Sequence, residues 1–240
     1  MTRTILLWPL FLICHWLVAG FIAWHLLAQV DFAYASAYKA LNIGAHIEEF
    51  APQNRHREHF ADTDKTQHLA LFAEINHAIH KDPARLAKIT YTAHDGLHRT
   101  LMHRDEVLHL NDVARLIKGV YTLGFIALAL WLLAGGLLIK KRCAFPRPSR
   151  IIVGAVGGIA VIVVGVLAIG AKKVFYVLHE WIFPPDHPWF FYYQDSLMTT
   201  LMKAPDLFGF IAVILLGLWL LLWLASLWLQ VRYWPRSRPS

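Results

Sequence analysis

The sequence predicts an all-α membrane protein: four transmembrane helices, with a helical extracytoplasmic insertion between the first and second. Three observations carry this. Hydrophobic residues make up 57% of the 240 and the mean hydropathy is +0.45, too apolar for a soluble domain of this size. Four nearly uncharged runs of about 20 residues or more, 5–27, 116–139, 151–171 and 207–229, match a hydrocarbon core roughly 30 Å thick. Residues 42–113, by contrast, carry most of the acidic residues and ten of the fourteen histidines. That stretch reads as an insertion, not a fifth span, and the whole chain, 1–240, as a single membrane domain.

The first run is longer than the 7–15 residues of a signal-peptide core. Ala33-Tyr34-Ala35 and Ala35-Ser36-Ala37 resemble a cleavage site, but the expectation is an uncleaved anchor. Within it, His15 is expected to hydrogen-bond between helices, while His25 is near enough to the outer end to join a site. Cys14 in this run and Cys143 in the 140–150 loop suggest neither a bridge nor a metal-thiolate site.

In the insertion, residues 28–112, Asp64-Lys65-Thr66 predicts the cap of a helix with Leu69, Phe72, Ile75 and Ile79 on one face, and Pro83 breaks it. Leu86, Ile89 and Tyr91 follow, then a weaker stretch at His94-Asp95-Gly96. The last helix is expected to begin near Leu97 and run unbroken into the second span. The apolar face looks too short to bury a core of its own, so the segment is expected to pack on the span ends or lie among lipid headgroups. His77/His80 and His94/His98 have metal-ligand spacings on a helix. No cysteine and no HExxH accompany them, and the loop histidines read as solvated or interfacial, with no metal.

Orientation follows from Lys and Arg near the span ends. Arg3, Lys140, Lys141, Arg142, Arg147, Arg150, Arg232, Arg236 and Arg238 flank one side. Only Lys172, Lys173 and Lys203 stand on the other, in 172–206. Both termini are therefore expected in the cytoplasm, with 28–112 and 172–206 outside. The pI of 9.5 comes largely from these flanks and does not imply nucleic acid.

Two histidines carry the functional reading. His109 stands seven residues before the second run, and His179 eight after the third. Were both helices continuous, both imidazoles would stand roughly 10–12 Å beyond the hydrocarbon edge, at one depth on one side. Titratable groups at headgroup level suggest chemistry on a lipid. On a helix, Asp105, His109 and Asp112 form a narrow stripe. A carboxylate one turn away can hold an imidazole tautomer and raise its basicity. Around His179, Phe183-Pro184-Pro185, Trp189 and Asp195 lie in a short loop otherwise rich in belt-forming aromatics. Gly154-x-x-x-Gly158 in the third run would permit close helix approach.

The element H-L-N-D-V at 109–113, preceded by Asp105-Glu106, resembles one motif of the bacterial integral membrane family that includes the lipoprotein intramolecular transacylase. F-x-x-x-H-x-x-x-F-P at 175–184, followed by Trp189, Asp195-Ser-Leu and Pro205-Asp-Leu-Phe, resembles its second motif. The chain departs from the family pattern with Asp105 where Arg is frequent and Leu110 where Met is frequent. The resemblance implies transfer of the sn-2 acyl chain of a diacylglyceryl-cysteine to that cysteine's α-amino group. Substrate and partners would be a diacylated lipoprotein and membrane lipid, in a bacterial inner membrane. Catalytic His109 and His179 would be supported by Asp105, Asp112, Asp195, Trp189 and Phe183, without a cofactor. The alternatives left open are a haem- or metal-binding four-helix membrane protein and a non-catalytic membrane protein.

Overall fold

The computed structural model describes residues 6–235; Arg3, Arg236 and Arg238, counted in the charge asymmetry, lie outside them. Four helices are long and apolar enough to cross a membrane: α1 (Leu7–Ala28), α5 (Arg104–Lys140), α6 (Pro148–Ile169) and α9 (Asp206–Tyr233). Between the first two stand α2 (Tyr34–Ala40), α3 (Ile43–Phe50), α4 (Lys65–Lys81) and a two-stranded sheet, β1 (Thr90–Thr92) with β2 (His98–Thr100). After α6 come α7 (Ala171–Ile182) and the short α8 (Leu197–Met202). The chain divides into two compact units. One comprises the residues up to Phe21, Leu123–Pro184 and those from Leu218 on; the other comprises Ile22–Thr122 and Pro185–Gly217.

In the first unit the chain of α1 meets that of α9 through tryptophans. The Trp219 indole donates to the Trp16 carbonyl at 2.8 Å, with the rings 4.9 Å apart. His15 Nε2 accepts from the Gln230 amide at 2.9 Å and lies 2.7 Å from Ser226 Oγ, the interhelical bonding expected of it. Close approach is permitted by Gly20, whose added Cβ would stand 2.5 Å from the Trp219 ring, and by Gly124, equally close to Phe21. It does not occur at Gly154 or Gly158, where a Cβ would meet nothing within 4 Å. No residue of α6 is buried, so α6 keeps the apolar surface of a lipid-facing helix.

Gly170, at φ +93°, ends α6 and separates it from α7. Only glycine takes this backbone region without penalty. The expected continuous helix is thus two helices, and the height estimate for His179 does not hold. For α5 the expectation of continuity does hold. It runs 37 residues, about 55 Å, so its first dozen residues extend beyond the apolar run at 116–139.

The second unit has a hydrophobic core of its own, which the apolar pattern of the insertion alone did not promise. Tyr34, Tyr38, Ile43, Ile47, Phe60, Leu71, Phe72, Ile75, Leu86 and Tyr91 are buried together with Leu197, Leu201 and Leu207. Each such side chain contributes roughly 1.5–3 kcal/mol on burial. The Tyr34 ring stacks on Phe72 at 4.0 Å and its hydroxyl donates to the Leu201 carbonyl at 2.6 Å. The core therefore needs residues beyond 185, which is why the insertion read alone looked too thin.

Local signals explain most of its elements. Asp64 caps α4 by accepting from the Gln67 N–H at 2.8 Å, and Pro83 follows the helix end. Asn76 on α4 donates to the Ala28 carbonyl (2.8 Å) and to Asp31 (2.7 Å), tying the end of α1 to the core. The helix expected from Leu97 starts instead at Arg104. Before it, Thr90-Tyr91-Thr92 pairs antiparallel with His98-Arg99-Thr100, closed by Gly96 at φ +75°. His94 and His98 consequently lie on a hairpin, not on one helix face.

Candidate active site

In the second unit, His109 is half-buried on the early turns of α5, its ring 6.0 Å from that of Phe191. The start of α5 is locked by Glu106, which is 1% exposed. Glu106 accepts from the His103 N–H at 2.7 Å, the reach-back of a helix-capping glutamate. It also accepts from the Ser196 hydroxyl at 2.5 Å and the Met198 N–H at 3.2 Å. Ser196 Oγ in turn accepts from the Thr199 N–H, capping α8. One buried carboxylate thus holds residues 103 and 196–198 together, fixing the register of the 185–196 segment beside His109's helix. Burial raises its pKa above the usual carboxylate range, and the hydrogen bonds on both oxygens offset only part of that cost.

Asp112 lies on the same helix and is also buried. One of its oxygens pairs with Arg115; the other stands 2.6 Å from Nδ1 of His187. A carboxylate only accepts, so Nδ1 carries the proton and Nε2 is left as the acceptor. Asp105 is exposed; its backbone N–H donates to His103 Nδ1 at 3.3 Å. The stripe Asp105–His109–Asp112 is therefore split by the structure: its first carboxylate faces solvent and its second is engaged by His187 and Arg115.

Asp195 lies 3.2 Å from the Arg55 guanidinium, and its backbone carbonyl accepts from His103 Nε2 at 3.0 Å. It joins the same junction as Glu106. Trp189 packs edge-on to Phe190, with ring centres 6.2 Å apart.

In the first unit, His179 sits on α7 and donates from Nδ1 to the Phe175 carbonyl one turn back, at 2.8 Å. Nε2 is again the acceptor nitrogen. Its ring rests between Phe175 (3.9 Å) and Phe183 (5.3 Å), and Phe183 is itself buried. Phe183 thus walls one side of the imidazole.

Several loop histidines expected in solvent are inside. His68 is 4% exposed. Tyr38 OH stands 2.9 Å from its Nδ1 and Thr63 Oγ1 2.7 Å from its Nε2, and the Thr63 hydroxyl donates onward to the Phe60 carbonyl. Burial pulls its pKa from 6.5 to about 4, only partly opposed by Asp64. Burial likewise lowers His46 and His80. His80 donates to the Asn76 carbonyl and accepts from the Trp24 indole, while His25 lies 3.0 Å from Tyr121 OH. His77 and His94 are exposed.

Sequence reasoning missed Glu106, His103, Ser196 and His187. The S-L-M-T cap at 196–199 and the position of Glu106, three residues after the helix cap, were signals for the first and third. Nothing local marked His187, which sits in Pro-Asp-His-Pro.

The arrangement offers acid–base side chains; of the thiol and hydroxyl candidates, Cys14 is in α1 and Ser196 is committed to Glu106. No curated protein and no solved structure matches the chain. The model of the lipoprotein intramolecular transacylase family matches residues 5–204, taking in His109, Asp112, His179, His187 and Asp195. With 200 of 240 residues inside that match, the chain belongs to the lipoprotein intramolecular transacylase family and is a membrane acyltransferase of lipoprotein modification.

Proposed function

We propose that the enzyme moves the sn-2 acyl chain of a diacylglyceryl-cysteine, at the N-terminus of a lipoprotein, onto the same cysteine's α-amino group. His109 and His179 are the acid–base pair in this reading. The observation that carries it is the family match spanning both histidine elements, H-L-N-D-V and F-x-x-x-H-x-x-x-F-P. The amine attacks the ester carbonyl, forming the C–N bond. The tetrahedral intermediate then collapses, breaking the C–O bond to the glycerol C2 oxygen, which takes up a proton as it leaves. One histidine accepts the proton from the attacking nitrogen and the other polarises the carbonyl or protonates the leaving oxygen. Amine and ester belong to one molecule, so positioning supplies much of the acceleration, and no covalent acyl-enzyme is needed.

The charge asymmetry supports a bacterial inner-membrane protein with both termini in the cytoplasm and this chemistry on the outer side. The test of function is mass spectrometry of lipoprotein N-termini from cells with and without the protein. The expected product is an N-acyl cysteine bearing a monoacylglyceryl thioether, equal in mass to its diacylglyceryl precursor and distinguished by fragmentation. Termini unchanged by expression would overturn the reading. Topology is tested in a Cys143→Ser background: Ala70→Cys should react with an impermeant thiol reagent from outside, and Ser149→Cys only after the membrane is opened. The reverse pattern would refute the orientation.

A further inference from the structure

An α-amino group has a pKa near 8, so at neutral pH most of it is ammonium and cannot attack an ester. A first proton must leave before the C–N bond forms, and a second leaves the nitrogen afterwards. The acid–base pair returns only the second to the leaving oxygen. The first needs a separate acceptor that can pass it to water.

We propose that His187, oriented by Asp112, is that acceptor: its Nε2 takes the first proton from the substrate's α-ammonium group, freeing the amine for attack. This rests on the transacylase reading and adds a third histidine to it. The Asp112 carboxylate is buried and 2.6 Å from Nδ1, which fixes the tautomer and leaves Nε2 as acceptor. Among the described residues Nε2 has no hydrogen-bond partner. The side chain remains 21% exposed, so a proton gained there can be released to water. Asp112 is held in turn by Arg115, whose guanidinium is largely exposed. The charged groups facing the imidazole are thus Asp112 and, through it, Arg115, both on α5; its own segment contributes Asp186, which is exposed. His187 shares its unit with His109 and is followed by Pro188, which biases its backbone to an extended conformation and limits its freedom. The balance is complete: ammonium plus neutral imidazole gives amine plus imidazolium, and the imidazolium then loses its proton to solvent.

The test is a pH profile of the full-length protein in lipid nanodiscs, acting on a synthetic diacylglyceryl-cysteine peptide and read by mass spectrometry. His187→Gln is expected to slow transfer up to about 30-fold at pH 6.5, the ratio of ammonium to free amine there. At pH 9, where the amine is neutral unaided, the loss should shrink to less than about 3-fold. Asp112→Asn should show the same pH-dependent loss with smaller amplitude, because it disturbs the tautomer without deleting the base. A loss equal at both pH values, or no loss at all, would overturn the role of His187 while leaving the transacylase reading intact. A wild-type protein inert at every pH would overturn both.

Discussion

Nδ1 of His187 lies 2.6 Å from the carboxylate of Asp112, joining two residues 75 positions apart in the chain. The aspartate that follows His109 by three residues therefore orients a different histidine. That separates two tasks in the proposed chemistry, activating the amine and shuttling its second proton. His109 and His179 are left to the latter.

Replacing His109 or His179 is expected to abolish most transfer without loss of protein. His109→Ala and His179→Gln should each cost 10²–10⁴-fold in rate, the usual loss of an acid–base group, with membrane abundance near wild type. Gln is preferred at 179 because the ring fills space between Phe175 and Phe183. His94→Ala, on the exposed hairpin turn, is the control and should keep full activity. Full activity in both histidine variants would refute the assignment.

His68 should make stability fall with acid. Its folded pKa, about 4, lies below the unfolded value near 6.5, so the unfolded chain binds more protons between these limits. Its contribution is present above pH 6.5 and is lost progressively as pH falls towards 4, by about 3 kcal/mol in all. His46 and His80 act in the same direction. Thermal midpoints in detergent should drop across this window. They should drop less steeply in His68→Asn, and an unchanged slope in that variant would contradict the buried neutral histidine.

Glu106→Ala should destabilise the second unit strongly. Removing the carboxylate strands the Ser196 hydroxyl and the His103 and Met198 N–H groups. Each buried donor left unsatisfied typically costs about 1–3 kcal/mol. Limited proteolysis should then cut within 185–196 before the spans are affected. Wild-type protease resistance would show that the clamp contributes little.

Glycine substitutions should separate helix contacts from lipid-facing surface. Gly20→Ala and Gly124→Ala force a Cβ against Trp219 and Phe21 and should each cost about 1–3 kcal/mol. Gly157→Ala meets open space and should be neutral or mildly stabilising. The thermal midpoints of the three variants give the comparison directly, and equal effects at all three sites would refute these contacts.

The four apolar helices, the Asp64 cap, the break before Pro83 and the unbroken run of α5 beyond its apolar stretch were legible in the sequence. Each follows from hydropathy, period or a cap signal within a few residues. His109 and His179 were legible as candidates through their motifs, and His15 as an interhelical bonder because a polar group in an apolar run needs a partner. The break at Gly170 was not, because glycine is common within spans and only its left-handed φ decides the matter. Tertiary structure alone decided which partner each polar group met. Helical periodicity says that Glu106 and Asp112 point inward or outward, but Ser196 and His187 reach them from 90 and 75 residues away. The same holds for His68, solvated by local polarity and buried by Tyr38, Phe60 and Thr63, and for a core completed by Leu197 and Leu201. Burial and pairing are properties of surfaces brought together, and one segment's pattern specifies only its own half.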